Sequence, residues 1–528
     1  MLADNIMAEE QPKPSPSATT LTELEEEAEA QPLQDVLALV ILWSAREPHR
    51  VGEVALFPPE HPQWILGRGL SDEDLRLQGQ EQSGLPVTFF RQRPPGAHDR
   101  GEPTRAGSYL LGEGISRRQL EIHPRHDGLV VINIGRCPLL VNQVPVQDAL
   151  VRPCSTIFLR NQLLLYCTTR PLVMPQLRVY PKERASRFGQ PDQDGMVGES
   201  LAMWKLRESL AAFARTNFHV LITGESGSGK ELAAQALHRM SARAAQRMIS
   251  DNVATIPASL AAALLFGNRR NFPNPGMEER AGLIGAAHQS TLFLDEIGDM
   301  PEDVQPMFLR VTERGGEYCR LGEEHRPLRS DFRLIGATNR PGRLRHELKR
   351  RFQREIQLAG LNERREDIPL LIDSILKLQA QRDDPGITRF MRDGQPQIHP
   401  LLIDQLVRHH YTTNVSEVGF LLGQAMAESP HDVISPREPG PRYGSAPELA
   451  SSASAASGKR ESGRSIPRSL PTRERAEQVL LEQGGDVTRS AAILNISRDQ
   501  LNRLIQREGL FVPKMRRPRR TSSDNEPR

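Results

Sequence analysis

The run "LITGESGSGKELAAQALHRM", Leu221 to Met240, constrains the fold of this chain more than any other stretch. An apolar strand enters a glycine-rich turn, and a helical pattern leaves it. Gly224, Gly227 and Gly229 let backbone N–H groups curl around a phosphate. Lys230 stands at the helix N-terminus, where the helix dipole and the ammonium both favour an anion. Glu225, Ser226 and Ser228 complete the turn, and Glu231 takes the place where such turns usually carry a magnesium-ligating Ser or Thr. A turn of this kind can also be a plain strand-to-helix connection; the lysine and the flanking strand favour phosphate binding.

A second segment, "TLFLDEIGDM", reads as a buried strand ending in two adjacent carboxylates, Asp295 and Glu296. Carboxylates at the C-terminal end of a parallel strand face the phosphate crevice. Asp295 is thereby a candidate magnesium ligand, and Glu296 a candidate to polarise a water. "RLIGAT" supplies another apolar strand, and helical patterns alternate with these strands from 199 to about 430. The alternation predicts an α/β domain with a parallel sheet.

At 528 residues the chain predicts several domains. A net charge of +2 means that nucleic-acid affinity must come from a local basic patch. No apolar run is long enough to span a membrane; "VLALVILW", Val36 to Trp43, is strand-length. The four cysteines, Cys137, Cys154, Cys167 and Cys319, lack metal or CxxC spacing and read as unpaired buried thiols of a cytoplasmic protein. Residues 1–34 read as a disordered leader with no signal-peptide order. Short β-type runs over 35–170, such as "GLVVINIG" and "STIFLRNQLLLYC", predict an antiparallel all-β sandwich. A linker over 171–198 leads into the α/β domain, and a flexible linker over 431–470 leaves it.

The segments "GESGSGKE", "LFG", "TLFLDEIGDMPEDVQPMFLRV", "ATNR" and "NERREDIPLLI" together resemble the central AAA+ domain of bacterial sigma-54-dependent transcription activators. The resemblance implies an α/β subdomain over 199–360 and a helical lid over 361–430, with ATP and magnesium as ligands. It implies that Asn252 senses the γ-phosphate through the catalytic Glu296, and that Asn339 is the polar sensor. Arg345 and Arg351 match the arginines that reach a neighbouring subunit's nucleotide, which implies a hexameric or heptameric ring; a solvated basic helix face is the alternative.

Two departures bear on function. Where the family carries a nucleotide-contacting lid arginine, this chain has Ser416, which predicts weakened nucleotide binding or turnover, so that whether it is an effective ATPase stays open. The family's Gly-Ala-Phe-Thr-Gly-Ala loop, which touches sigma-54, aligns on "NFPNPG", Asn271 to Gly276, with Pro273 and Asn274 in place of Phe-Thr and a second proline at 275. Proline fixes φ and restricts the preceding residue, so the loop is expected to have lost its contact chemistry and its freedom to move.

The segments "WILGRGLSDED", "GISRRQLEIHP" and "NIGRCPLLVNQVPV" resemble a forkhead-associated domain, the sandwich that binds phosphothreonine peptides. Arg68 and Ser116 fall where that family grips the phosphate, Arg117 is placed to assist, and Gln119 replaces a structural His. A role of Arg68 and Ser116 in folding alone is the alternative. The segment 471–512 resembles the Fis-type helix-turn-helix that ends sigma-54 activators. Ser497 would cap its recognition helix, with Arg498, Gln500, Asn502 and Arg503 set to meet bases or phosphates of duplex DNA, and a basic tail over 513–528 adds cations. The order of parts implies an ATP-binding, DNA-binding transcription regulator. A DNA-bound repressor or scaffold that remodels nothing is one rival, and a phosphopeptide-dependent signalling adaptor is another.

Overall fold

The unbroken apolar run at 36–43 becomes an interior strand of a sheet whose two faces are both covered. The computed structural model describes residues 34–436, apart from 70–83, 96, 98–107, 273, 314, 324 and 383–384. Two units divide the chain, Met1–Pro441 and Arg442–Arg528, and every described residue belongs to the first. The expected leader, the linker beyond 436, the helix-turn-helix and the basic tail lie outside the described residues.

One sheet runs in the order β2 (Val54–Phe57), β1 (Asp35–Ser44), β11 (Leu163–Pro171), β10 (Thr156–Leu159), β7 (Leu139–Val141) and β8 (Val144–Pro145). The other runs β4 (Leu85–Pro86), β3 (Trp64–Leu66), β5 (Leu120–Arg125), β6 (Gly128–Asn133) and β9 (Asp148–Val151). All pairings are antiparallel except the two-residue β3–β4 pair, which is parallel and departs from the wholly antiparallel expectation. Side chains alternate along each strand. Leu39 and Ile41 of β1 and Leu165 and Cys167 of β11 therefore point inward, onto Leu120, Ile122, Leu129 and Val131 of the facing sheet.

The second domain carries a five-stranded parallel sheet in the order β13 (Ile249–Asn252), β14 (Thr291–Asp295), β17 (Arg333–Thr338), β12 (Val220–Thr223) and β18 (Arg354–Gln357). A small hairpin, β15 (Glu317–Tyr318) and β16 (Leu328–Arg329), stands apart from it. Helices α1 (Leu201–Ala214), α2 (Lys230–Arg239), α3 (Ala258–Phe266) and α4 (Gln305–Glu313) belong to this domain. The lid is built from α5 (Ile368–Ala380), α6 (Pro400–Arg408) and α7 (Asn414–Glu428). Ser200 caps α1 by accepting from the Met203 N–H, and Pro400 opens α6 at a position that needs no N–H.

The outward residues of the first sheet explain its second covered face. Leu42, Leu140, Phe158, Leu164 and Tyr166 merge with Ile368, Leu371, Leu402 and Leu406 of the lid in one apolar cluster. Gln143 Nε2 donates to Asp404 Oδ2 at 2.6 Å, and Arg408 Nη1 donates to the Asn142 carbonyl at 3.2 Å.

Buried ion pairs fasten the same junction. Arg93 grips the Glu199 carboxylate through Nε at 2.9 Å and also through Nη2. Arg170 donates through Nε to Glu366 Oε2 at 3.2 Å and through Nη1 to the Glu199 carbonyl at 2.9 Å. Burial pushes the Glu366 carboxyl upward from its ordinary value, while Arg170 opposes that and Asp367 adds to it. The linker expected over 171–198 is well packed at its end: Arg207 holds Asp192 at 2.8 Å, and Arg184 holds Asp194 at 3.0 Å. The reading of all four cysteines as buried is corrected: Cys137 and Cys167 are buried, Cys319 is half-buried and Cys154 is exposed. Cys154 sits in a turn at φ 71°, outside the strands that cover the other two.

Candidate nucleotide site

The glycine-rich turn forms where the sequence places it, between β12 and α2. Gly227 and Gly229 adopt φ of 70° and 101°, a region open to glycine and strained for other residues. A Cβ built on Gly229 would meet no atom within 4 Å, so this stretch of backbone fronts open space of the kind a phosphate fills. The Ser228 hydroxyl is buried with no hydrogen-bond partner among the described residues. Both observations fit a phosphate in the turn, since buried polar groups in native proteins are nearly always paired.

Lys230 is buried, with Nζ donating to the carbonyls of Gly224 at 3.1 Å and Glu225 at 3.2 Å. Glu231 is exposed at the start of α2. Burial raises the Asp295 carboxyl above the usual carboxylate range; the Glu296 N–H and Lys230 pull it down, while Glu296 and Glu231 add to the rise. Among the described residues no group of three or more His, Cys, Asp or Glu side chains is placed to hold a metal. Asp295 ends β14 and lines the cleft beside Glu296; magnesium commonly binds one or two carboxylates together with substrate phosphates.

Glu296 takes a left-handed backbone, φ 47° and ψ 42°, which turns its carboxylate back toward the phosphate loop. Its Oε2 accepts from the Asn339 backbone N–H at 3.2 Å, and Oε1 lies 3.6 Å from Lys230 Nζ. Asn339 itself is exposed. Asn252, expected to act through Glu296, here donates through Nδ2 to Asp295 Oδ2 at 3.4 Å. The cause is register, since β13 and β14 place Asn252 directly beside Asp295.

The lid reaches the same turn. Asn414, at φ 50°, donates through Nδ2 to Glu225 Oε2 and to the Ser226 carbonyl, both at 3.0 Å. The Val415 N–H donates to the Gly227 carbonyl at 3.2 Å. Ser416 stands over the turn, 3.0 Å from where a Cβ on Gly227 would lie. A cleft of about 740 Å³ opens between the turn and the lid, with Val197, Met203, Leu206, Leu371 and Ile375 as apolar walls. Sequence reasoning missed Asn414 and the buried Arg364, which also lines this cleft; both lie inside motifs noted for resemblance alone.

Arg345 is exposed and starts the helical turn His346–Lys349, its backbone N–H donating to Gln305 Oε1. Arg351 is half-buried just beyond that turn. Neither lines the cleft of its own chain.

At the sandwich, Arg68 and Ser116 are half-buried neighbours, joined by the Arg68 N–H donating to the Ser116 carbonyl at 3.0 Å; Arg117 is exposed. The Ser116 hydroxyl accepts from the Arg136 N–H at 3.0 Å. Gln119, fully buried, holds these loops together. Its Oε1 accepts from the N–H groups of Ser116 and Cys137, and its Nε2 donates to Asn133 Oδ1 and the Cys137 carbonyl. Ser497, Arg498, Gln500, Asn502 and Arg503 lie outside the described residues.

No helix among the described residues is long and apolar enough to cross a membrane. Residues 196–359 match the family model described as the sigma-54 interaction domain. The chain is 36% identical over 264 residues to the DNA-binding transcriptional regulator NtrC of Rhizobium meliloti, covering 48% of this chain and 52% of that protein. It is 40% identical over 205 residues to the formate hydrogenlyase transcriptional activator of Salmonella typhimurium, covering 37% of this chain and 29% of that protein. A crystal structure of NtrX from Brucella abortus matches with a TM-score of 0.41 and 27% identity, over 60% of this chain and 69% of that one. The chain thus spans about half or less of the length of these curated relatives. Residues 196–359 form a sigma-54 interaction domain of the AAA+ type, with homology to that of NtrC-type transcription activators.

Proposed function

We propose that this chain is an ATP-binding, DNA-binding transcription regulator of the sigma-54 activator type with impaired engagement of sigma-54. The observation that carries the reading is the meeting of three elements at one cleft: the phosphate turn with Lys230, the Asp295–Glu296 pair, and the Asn414 clamp from the lid. Lys230 would pair with phosphate, Asp295 would hold magnesium, and Glu296 would orient a water. Bound ATP supplies the anhydride to be cleaved. Arg345 and Arg351, away from their own chain's cleft, suit contact with a neighbour's nucleotide in a hexameric or heptameric ring. Such a regulator would work in the cytoplasm, with DNA held by the segment 471–512.

The loop at 271–276 favours the non-remodelling variant of this reading, a DNA-bound repressor or scaffold. Pro273 lies outside the described residues, but its neighbours are tied down. Asn271 accepts the Gly276 N–H through Oδ1 at 2.9 Å and donates its own N–H to the Met277 carbonyl at 2.8 Å. Buried Asn268 donates through Nδ2 to the carbonyls of Arg269, Phe272 and Glu278. The Phe272 ring packs on Gly322, where an added Cβ would come within 2.8 Å of it. This aromatic side chain is spent on its own domain. An ATP cycle does work on a partner only through a segment with different contacts in its two states.

The test is capture of sigma-54 by the full chain trapped with an ATP transition-state analogue. No stable complex is expected, and replacing residues 271–276 with Gly-Ala-Phe-Thr-Gly-Ala should create binding. A stable complex with the unaltered chain would restore the ordinary activator. A mobility shift of duplex DNA that weakens as salt rises separates both from a signalling adaptor. For the sandwich, a phosphothreonine-peptide screen with Arg68→Ala as control decides between peptide binding and a folding role.

A further inference from the structure

We infer that Arg364 is a nucleotide-contacting residue, whose guanidinium supplies hydrogen-bond donors to the nucleoside end of the nucleotide; this rests on the nucleotide-binding reading of the cleft. Arg364 lies just ahead of α5, is 5% exposed and lines the cleft. An arginine carries five N–H donors and never loses its charge in ordinary conditions. Among the described residues, Nη1 meets only the Met203 thioether sulfur at 2.7 Å, a weak acceptor, and Nε is buried with no partner.

The neighbouring buried arginines are all satisfied by carboxylates: Arg93 by Glu199, Arg170 by Glu366, and Arg207 by Asp192. Arg364 is the exception at this junction. The nearest candidate, Asp367, is committed elsewhere: Oδ1 accepts the N–H groups of Glu199 and Ser200, and Oδ2 accepts the Ser200 hydroxyl at 2.6 Å. Burial lowers the pKa of Arg364, and Asp367 only partly offsets that.

A buried cation without an acceptor destabilises the protein that carries it. The charge becomes favourable once an acceptor enters the cleft, and the position of Arg364 selects which one. Lys230 serves the phosphate turn. Arg364 stands beside Met203, and the same cleft has Val197 and Leu371 as apolar walls that suit the face of a planar base. The acceptors brought to that end are ring nitrogens of the base and oxygens of the ribose. Ser416 leaves the lid without a cation over the turn, so Arg364 and Lys230 would share the ligand between its two ends.

The test uses the full chain and Arg364→Met, which keeps length and apolar stem and removes the charge. Titration calorimetry with ADP and with ATPγS should show affinity falling by roughly ten- to hundredfold. The factor should be the same for both ligands, because the nucleoside end is common to them. Without nucleotide the melting temperature of Arg364→Met should hold or rise, an outcome that a purely structural arginine would not give. Unchanged affinity in Arg364→Met overturns the inference, and so does loss confined to ATPγS. If Arg364→Met melts early, Arg364→Lys decides: a folded variant with wild-type affinity overturns the inference, and one with reduced affinity supports it. Failure of the unaltered chain to bind either nucleotide would bring down the underlying reading as well, whereas unaltered binding by Arg364→Met leaves that reading standing.

Discussion

Lys230 Nζ lies 3.6 Å from Glu296 Oε1, so the cation suited to phosphate and the carboxylate suited to water stand against one another across the phosphate turn. Removing either should have separate effects. Lys230→Ala should lower affinity for an ATP analogue by at least about a hundredfold, since charge-assisted bonds are the strong ones. Glu296→Gln should leave binding close to unaltered and abolish turnover. Calorimetry and a phosphate-release assay distinguish the two; equal affinity in Lys230→Ala would remove Lys230 from the site.

Ser416 overlooks the turn from the first residues of α7, where a longer side chain can reach phosphate. Ser416→Arg should raise turnover by about tenfold, the effect of one added charge-assisted contact worth roughly 1.4 kcal/mol. Specific activity should climb with protein concentration in both forms, as expected when a neighbour supplies arginines. No change in Ser416→Arg would show that the lid no longer acts on phosphate from this position.

Gln119 makes four hydrogen bonds under the loops that carry Ser116 and Arg136. Gln119→Leu would strand those partners in a buried place, at a cost of about 2–4 kcal/mol. Chemical denaturation should show that loss as a lower midpoint. A midpoint within error of the unaltered chain would mean that the loops find other partners.

The start of α7 carries a pH-sensitive brace. Burial works against the charged form of Glu417, but the Thr413 N–H, His409 and Thr412 outweigh it and hold the carboxyl down to about 2, from an ordinary 4.5. A depressed folded-state pKa means stabilisation that is complete above about 4.5 and fades as pH falls toward about 2. The stability gap between the unaltered chain and Glu417→Gln should therefore be constant at neutral pH and close below pH ~4.5. A gap that persists undiminished at pH ~2.5 would assign the effect to packing instead.

Much of the site was legible because phosphate chemistry needs particular residues at fixed spacing. Gly224 to Lys230 and the Asp295–Glu296 pair announce themselves within short windows. The continuous run from Val36 to Trp43 likewise signalled a strand, and its lack of alternation matches a strand covered on both faces. What covers the outer face was not legible. Arg93 and Glu199 are 106 residues apart, and Arg170 and Glu366 are 196 apart, so no local pattern links them. Arg364 was hidden for a related reason: a charged residue in "NERREDI" reads as solvated until burial shows otherwise. That Asn252 sits beside Asp295 rather than Glu296 was not legible either, because neighbouring strand residues differ by one step of register, which only the paired strands resolve.

The twin grip of Arg93 and Arg170 on Glu199 and Glu366 has an evolutionary side. A sensor joined by a loose tether can be exchanged for another without disturbing the engine it feeds. Here, deleting the sandwich would remove the arginines that hold the buried carboxylates of Glu199 and Glu366 and bare the apolar flank of the lid. The two domains are thereby tied to change in step, and the α/β half of this chain is not a module that can be lifted out on its own.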